Sequence, residues 1–200
     1  MIKYNKKLAQ QLNNLCRKST IRANQALAKM PRRNKYLAFG RYTRDCPKWF
    51  LKKFDKIDQH QLYSWFLADA FGIVFSELDR KKFKVKTTKN WRKSRFISAK
   101  DILRKRLRTC ASLALLTACG LRYLGIPTKL IHGYLLESKE KFRHAWNEIY
   151  FPDYKKFLPM DMTRLNYKIT DKHIKMKECV DWSGLDSPKW DVVERYKRLR

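Results

Sequence analysis

The sequence predicts an α+β fold: a buried helix beginning at Cys110 packs on a small antiparallel sheet, with a helical, basic region ahead of it. Three observations predict it. First, Leu113, Ala114, Leu116, Ala118, Leu121 and Leu124 follow Cys110 mainly at three- and four-residue spacings, the period of a helix buried on one side. Second, the pattern changes after Pro127. Residues 128–136, 142–151 and 157–163 are rich in strand formers, and short polar connections join them, which describes an antiparallel meander. Third, the first eighty residues carry helical periodicities instead.

Taken in order, residues 3–30 read as helical. Leu8, Leu12 and Leu15 share a face, Ile21, Ala26 and Leu27 continue it after Ser19-Thr20, and Met30-Pro31 ends it. Residues 31–46 are basic and irregular, with Gly40 as punctuation. Pro47 can open a short helix through Phe54. Asp58 is the candidate cap for a helix over 59–78, apolar on most sides through Leu62, Trp65, Phe66, Phe71, Ile73, Val74, Phe75 and Leu78 and so expected to be buried. A basic connector over 79–98 holds Trp91 and a short strand pattern at 83–86. Ser98 or Asp101 can cap a short helix carrying Ile102, Leu103 and Leu107. Thr109 is the expected N-cap of the Cys110 helix, and Gly125 with Pro127 its stop. Ser187-Pro188 can start a basic amphipathic helix ending near Leu199. The organisation expected is a helical basic region over 1–80, a core over 81–170 and an extension with a short helix over 171–200.

Two hundred residues suit one domain, with 44% hydrophobic and 14% aromatic residues to fill its core. No stretch of about twenty residues is free of charge, which argues against a transmembrane helix. The basic start lacks the apolar segment of a secretory signal. Cys16, Cys46, Cys110, Cys119 and Cys179 are scattered and odd in number, which suits free thiols in a reducing, intracellular compartment. His60, His132, His144 and His173 lack metal-ligand spacing to one another.

The net charge is +29, and the first hundred residues hold 26 of the 47 Lys and Arg against 6 acids. Between Arg80 and Arg108 lie 14 basic residues and one acid, Asp101. Arg80, Lys81, Lys82, Arg92, Lys93, Arg95, Arg104, Lys105, Arg106 and Arg108 form a candidate basic patch for nucleic acid or another polyanion. The bland alternative is a solvated surface without a dedicated partner. The oligomeric state is open.

A thiol in the first turn of a helix meets free N–H groups and the positive dipole end, which favour negative charge on sulfur. It then needs a base, usually His, held in one tautomer by an acceptor such as Asp. His144 follows Cys110 by 34 residues, and Asp161 follows His144 by 17. In a meander they fall on neighbouring strands.

The order Cys110, Gly125-Ile126-Pro127, Gly133-Tyr134, His144-Ala145-Trp146 and Asp161-Met162-Thr163 resembles the transglutaminase-like superfamily of papain-type thiol enzymes. The likeness covers roughly residues 96–165. It implies Cys110 as nucleophile, His144 as general base and acid, and Asp161 as the orienting group. The reaction implied is that of an acyltransferase or hydrolase on protein or peptide amides, with no cofactor for the thiol chemistry. No acidic loop of the calcium-binding kind is present. Trp91 is the candidate side-chain donor to an oxyanion hole beside the Cys110 N–H, and Trp146 a core or cleft-wall residue. Arg108 stands where the family often has glycine and puts a cation at the cleft mouth. The alternative expectation is an idle copy of the fold serving as a basic binding module.

Overall fold

The structure is a computed structural model and describes residues 1–78, 98–137, 140–164 and 167–182. In chain order it holds strand β1 (Ile2–Lys3), helices α1 (Lys6–Lys18) and α2 (Ala23–Ala28), the 3-10 turn η1 (Lys35–Leu37), α3 (Lys48–Leu51), the 3-10 turn η2 (Phe54–Lys56), α4 (Tyr63–Glu77), α5 (Ala99–Lys105), α6 (Cys110–Tyr123), and strands β2 (Thr128–Glu137), β3 (Glu140–Phe151), β4 (Lys156–Met160) and β5 (His173–Cys179). It is an α+β fold with one five-stranded antiparallel sheet, ordered β1-β5-β2-β3-β4. The predicted meander is its β2-β3-β4 half.

Local chemistry sets the ends of the helices. Asn5 caps α1 through the Leu8 N–H, and Ser98 caps α5 through the Asp101 N–H. Thr109 caps α6 through the Ser112 N–H, and Gly125, at φ 79°, ends that segment in the left-handed region. The long N-terminal helix expected over 3–30 is broken. Ser19 is buried, and residues 21–22 run extended beside residues 61–63 through an Arg22–Leu62 bridge and a Tyr63 N–H bond to the Ile21 carbonyl. Asp58 does not cap α4. It accepts from the His60 N–H in a tight turn, and α4 begins five residues later without a side-chain cap.

The sheet is buried on both faces. On one face α6 lies against β3, and α4 packs on α6; Leu115, Leu116, Leu130, Ile149, Phe151, Leu158, Phe66 and Phe71 fill that core. Across the β3 pleat, the Asn147 amide donates to the Ala114 carbonyl of α6 and so ties the strand to the helix. The other face carries Ile131 and Trp146, covered by Tyr4, Leu8, Ala9 and Leu12 from the N-terminus and by Ile169. Residues 167–172 belong to the connection that returns the chain from β4 to β5. The Asn13 amide donates to the Ile169 carbonyl and its oxygen accepts from the Ile169 N–H, so α1 clamps that connection.

Two charged groups lie inside the fold. Glu148 is 7% exposed and binds the Lys175 ammonium at 2.7 Å and the Tyr4 hydroxyl at 3.2 Å. Arg122 is 3% exposed and makes three bonds, two to the Thr128 carbonyl and one to the Ala38 carbonyl, which stitch α6 to the start of β2 and to the N-terminal region. Strand β5 lies within the range that the sequence assigns to an extension. The strand pattern expected at 83–86 and the helix expected after Ser187 lie outside the described residues.

Candidate active site

Cys110 is the first residue of α6 and is half-buried, whereas Cys16, Cys46, Cys119 and Cys179 are buried. Burial pushes the Cys119 thiol well up, and the Cys16 thiol up to about 12. His144 lies on β3, 7% exposed, directly opposite Gly133 of β2. Asp161 follows the last residue of β4 and is fully buried. In the β3–β4 register Asn147 faces Met160, so the chain beyond Met160 runs back alongside Trp146 and His144.

His144 Nε2 lies 2.8 Å from Asp161 Oδ2, and Cys110 is near enough to raise the ring's proton affinity. With Nε2 given to the carboxylate, Nδ1 is the nitrogen left for sulfur. Burial alone would lower the imidazole's proton affinity. The hydrogen bonds to Asp161 and Cys110 and the negative charge they offer outweigh burial and raise its pKa to about 9.

Asp161 has four donors. Its Oδ1 accepts from the Thr163 N–H at 2.9 Å and the Thr163 hydroxyl at 2.7 Å. Its Oδ2 takes His144 and, at 2.9 Å, Nε2 of His173. The Arg164 guanidinium is 4.0 Å from the same oxygen. Burial would push the carboxyl up, but the bonds to the two histidines, the His144 charge and the Thr163 bond hold it far below the usual carboxylate range.

His173 is the residue that sequence reasoning missed. It is the first residue of β5 and 0% exposed. Its Nδ1 accepts from the Thr170 backbone N–H at 3.1 Å. A backbone N–H can only donate, so Nδ1 is bare and Nε2 carries the ring proton. The one available signal was Thr170 three residues ahead of it, a turn-forming pair that many surface loops share.

His144, Asp161 and His173 also form the one group among the described residues with metal-ligand proximity, their ligand atoms lying within 4.8 Å of one another. The donor set does not fit a cation well. A metal at His173 Nε2 needs that nitrogen bare, and the Thr170 N–H then leaves the ring's proton without a place on Nδ1. The cluster is a hydrogen-bond network.

Trp146 is 1% exposed, stacks 6.0 Å from the His144 ring and meets His173 edge-on at 5.3 Å. It is the floor under both histidines, with no face turned to an incoming substrate. The candidate oxyanion donor Trp91 and the patch residues Arg80, Lys81, Lys82, Arg92, Lys93 and Arg95 lie outside the described residues. Of the rest of the patch, Arg104 pairs with Asp101 at 2.7 Å and Lys105 is exposed. Arg106 takes a left-handed backbone at φ 52° and donates to the Glu77 carbonyl at the end of α4, a structural use of the cation. Arg108 is exposed, its guanidinium 4.9 Å above the Phe75 ring. Among the described residues, no helix is long and apolar enough to cross a membrane.

Residues 74–162 match the family model of the transglutaminase-like superfamily. No curated protein matches the chain. Among solved structures the chain is similar to a candidate cysteine protease from Cytophaga hutchinsonii, with TM-score 0.56 and 20% identity over 76% of this chain. The chain spans about half of that protein, 48% of its length, and at this identity the likeness is one of fold.

Proposed function

From the match of residues 74–162 to the transglutaminase-like family model, we propose that Cys110, His144 and Asp161 act together as nucleophile, proton carrier and orienting group of a cysteine enzyme acting on protein or peptide amides. The observation that carries the reading is the bond of His144 Nε2 to the buried Asp161 at 2.8 Å, with Cys110 among the groups that raise the ring's proton affinity. An acceptor on one nitrogen holds the ring in one orientation and leaves Nδ1 for the sulfur.

The chemistry follows from that geometry. Sulfur gives its proton to His144 and attacks the carboxamide carbon, and the carbonyl electron pair moves to oxygen. The N–H groups at the start of α6, that of Cys110 first, face the developing negative charge. Collapse of the intermediate breaks the C–N bond, and His144 passes its proton to the departing amine. A thioester remains on Cys110. Water or an amine then attacks it, gives a proton to His144 and releases the sulfur as thiolate. Water gives deamidation or peptide hydrolysis, and an amine gives transamidation; both share the first half of the path.

The test is a mixture of glutamine-containing peptides incubated with wild-type protein and Cys110→Ala, with and without a primary amine, read by mass spectrometry. The expected result is acid or cleavage product without the amine and substituted amide with it, both absent in Cys110→Ala. No conversion by wild type, or equal conversion by the variant, overturns the reading.

A second reading, compatible with the first, is a basic module for nucleic acid. Residues 29–56 favour it: they carry ten Lys and Arg against two Asp. Half-exposed Trp49 has the Lys53 ammonium 5.3 Å above its ring, and Arg41 lies 5.6 Å over Tyr42. Cations beside accessible rings suit single strands, where bases stack and phosphates pair. Binding to an oligonucleotide should weaken steeply as salt rises; binding that ignores salt removes this reading.

A further inference from the structure

We propose that His173 is a positioning residue for the thiol chemistry: a fixed second donor that holds the Asp161 carboxylate in the orientation His144 requires. The inference rests on the reading that Cys110, His144 and Asp161 work together, and it adds a fourth group whose only route to the reaction is through Asp161.

The geometry points to a one-way chain of hydrogen bonds. It begins on α1, where Asn13 clamps the backbone of Ile169 in both directions. The next residue, Thr170, aims its N–H at His173 Nδ1, and the Thr170 hydroxyl lies 3.0 Å from the same nitrogen. That fixes the proton on Nε2, which lies 2.9 Å from Asp161 Oδ2. The same oxygen receives His144 at 2.8 Å. Every donor in the chain is set by the one before it.

A second donor on this oxygen has two effects. It stops the carboxylate from rotating away from His144, since leaving His144 would also break the bond to a ring that is 0% exposed. It also draws part of the oxygen's charge, so His144 sees a weaker anion than an unshared carboxylate would present. The groups facing His144 are Asp161, Thr163 and, at one remove, Arg164 from the chain after β4, Cys110 from α6, Trp146 beside it on β3, and His173 from β5. Of these, His173 alone bonds Asp161 while being wholly hidden from solvent. Both of its nitrogens are engaged, Nδ1 by the Thr170 N–H and Nε2 by Asp161, so neither is left for the thiol's proton.

The test uses the whole protein and two readouts. Nitrogen NMR of the wild-type histidines should show His173 with a bare Nδ1 and a protonated Nε2 at neutral pH; a proton on Nδ1 overturns the inference whether or not any variant folds. The rate at which Cys110 is alkylated by iodoacetamide is then followed against pH in wild type, His173→Gln and His173→Phe. Gln keeps an N–H donor near the Nε2 position, and Phe removes it. The alkaline limb that reports His144 should move up by about half a pH unit in the Phe variant, because Asp161 then offers its whole charge to one imidazole, and should hold its place in the Gln variant. A limb unmoved or lowered in folded His173→Phe overturns the inference. Wild-type Cys110 that reacts no faster than Cys16, Cys46, Cys119 or Cys179 overturns instead the catalytic reading on which it rests, and the NMR result still tells whether the ring is placed as described.

Discussion

Gly133 lies directly opposite His144 across the β2–β3 pair, and its missing side chain leaves room for the Trp146 ring and the β5 backbone. A Cβ built there would fall 2.0 Å from the Ile174 carbonyl oxygen and 2.7 Å from the Trp146 ring. The β2–β5 register also shifts between His132 and Gly133, bringing β5 close at that point. His144 stands on one side of Gly133, with β5 and its His173 on the other.

Gly133→Ala therefore has no cheap accommodation, since one of the two obstacles is backbone. The variant should lose roughly 1–3 kcal/mol of stability and most of its Cys110 reactivity. Denaturant unfolding and an alkylation assay on the same sample check both, and a variant that keeps wild-type values in both contradicts the crowding.

Asp161→Asn replaces four accepted hydrogen bonds by a group that is half donor. Either amide orientation sets an N–H against donors, facing the two histidines or facing the Thr163 N–H. The expected cost is roughly 1–3 kcal/mol of stability and, by analogy with a triad carboxylate, on the order of 10⁴ in turnover. Asp161→Ala as a companion separates loss of a partner from the introduction of a wrong one. Asn that behaves like wild type would mean the carboxylate's charge is idle.

His144 makes folding depend on pH in a stated direction. Its pKa rises from 6.5 to about 9, so the stability it contributes is fully present below pH 6.5 and is lost as pH climbs through about 9. Urea midpoints across that window should fall in wild type and fall less in His144→Gln. Parallel curves would show that His144 gains no proton affinity on folding.

The clamp from α1 gives a prediction for the N-terminal region. Asn13→Ala removes both bonds to Ile169 and should cost about 1–3 kcal/mol. Hydrogen exchange should show the Ile169 amide losing protection first. Cys110 alkylation should slow without any change near α6. Unchanged protection at Ile169 would remove α1 from the site's support.

What the sequence made legible follows from local chemistry. Helix α6 starts and stops where Thr109 and Gly125 say it should, because a cap and a left-handed glycine act within a few residues. Strands β2, β3 and β4 show through their runs of strand formers. Strand β5 does not: residues 173–179 alternate His, Lys, Lys and Cys with Ile, Met and Glu, and His173 and Lys175 find their partners, Asp161 and Glu148, on segments distant in sequence. The same holds for the break after Ser19, where pairing with residues 61–63 overrides a helical periodicity. A partner distant in sequence leaves no mark on its neighbours.

The pairing of Ile2 with Lys175 ties the beginning of the chain to its fifth strand. During synthesis Cys110 leaves the ribosome well ahead of His173, and the β1–β5 edge of the sheet cannot close until residues 173–179 are present. A nascent chain thus carries its sulfur without its finished hydrogen-bond relay, and contacts of such wide separation make assembly slow. The order of translation itself would leave Cys110 without the neighbours that β5 brings until that strand has been made.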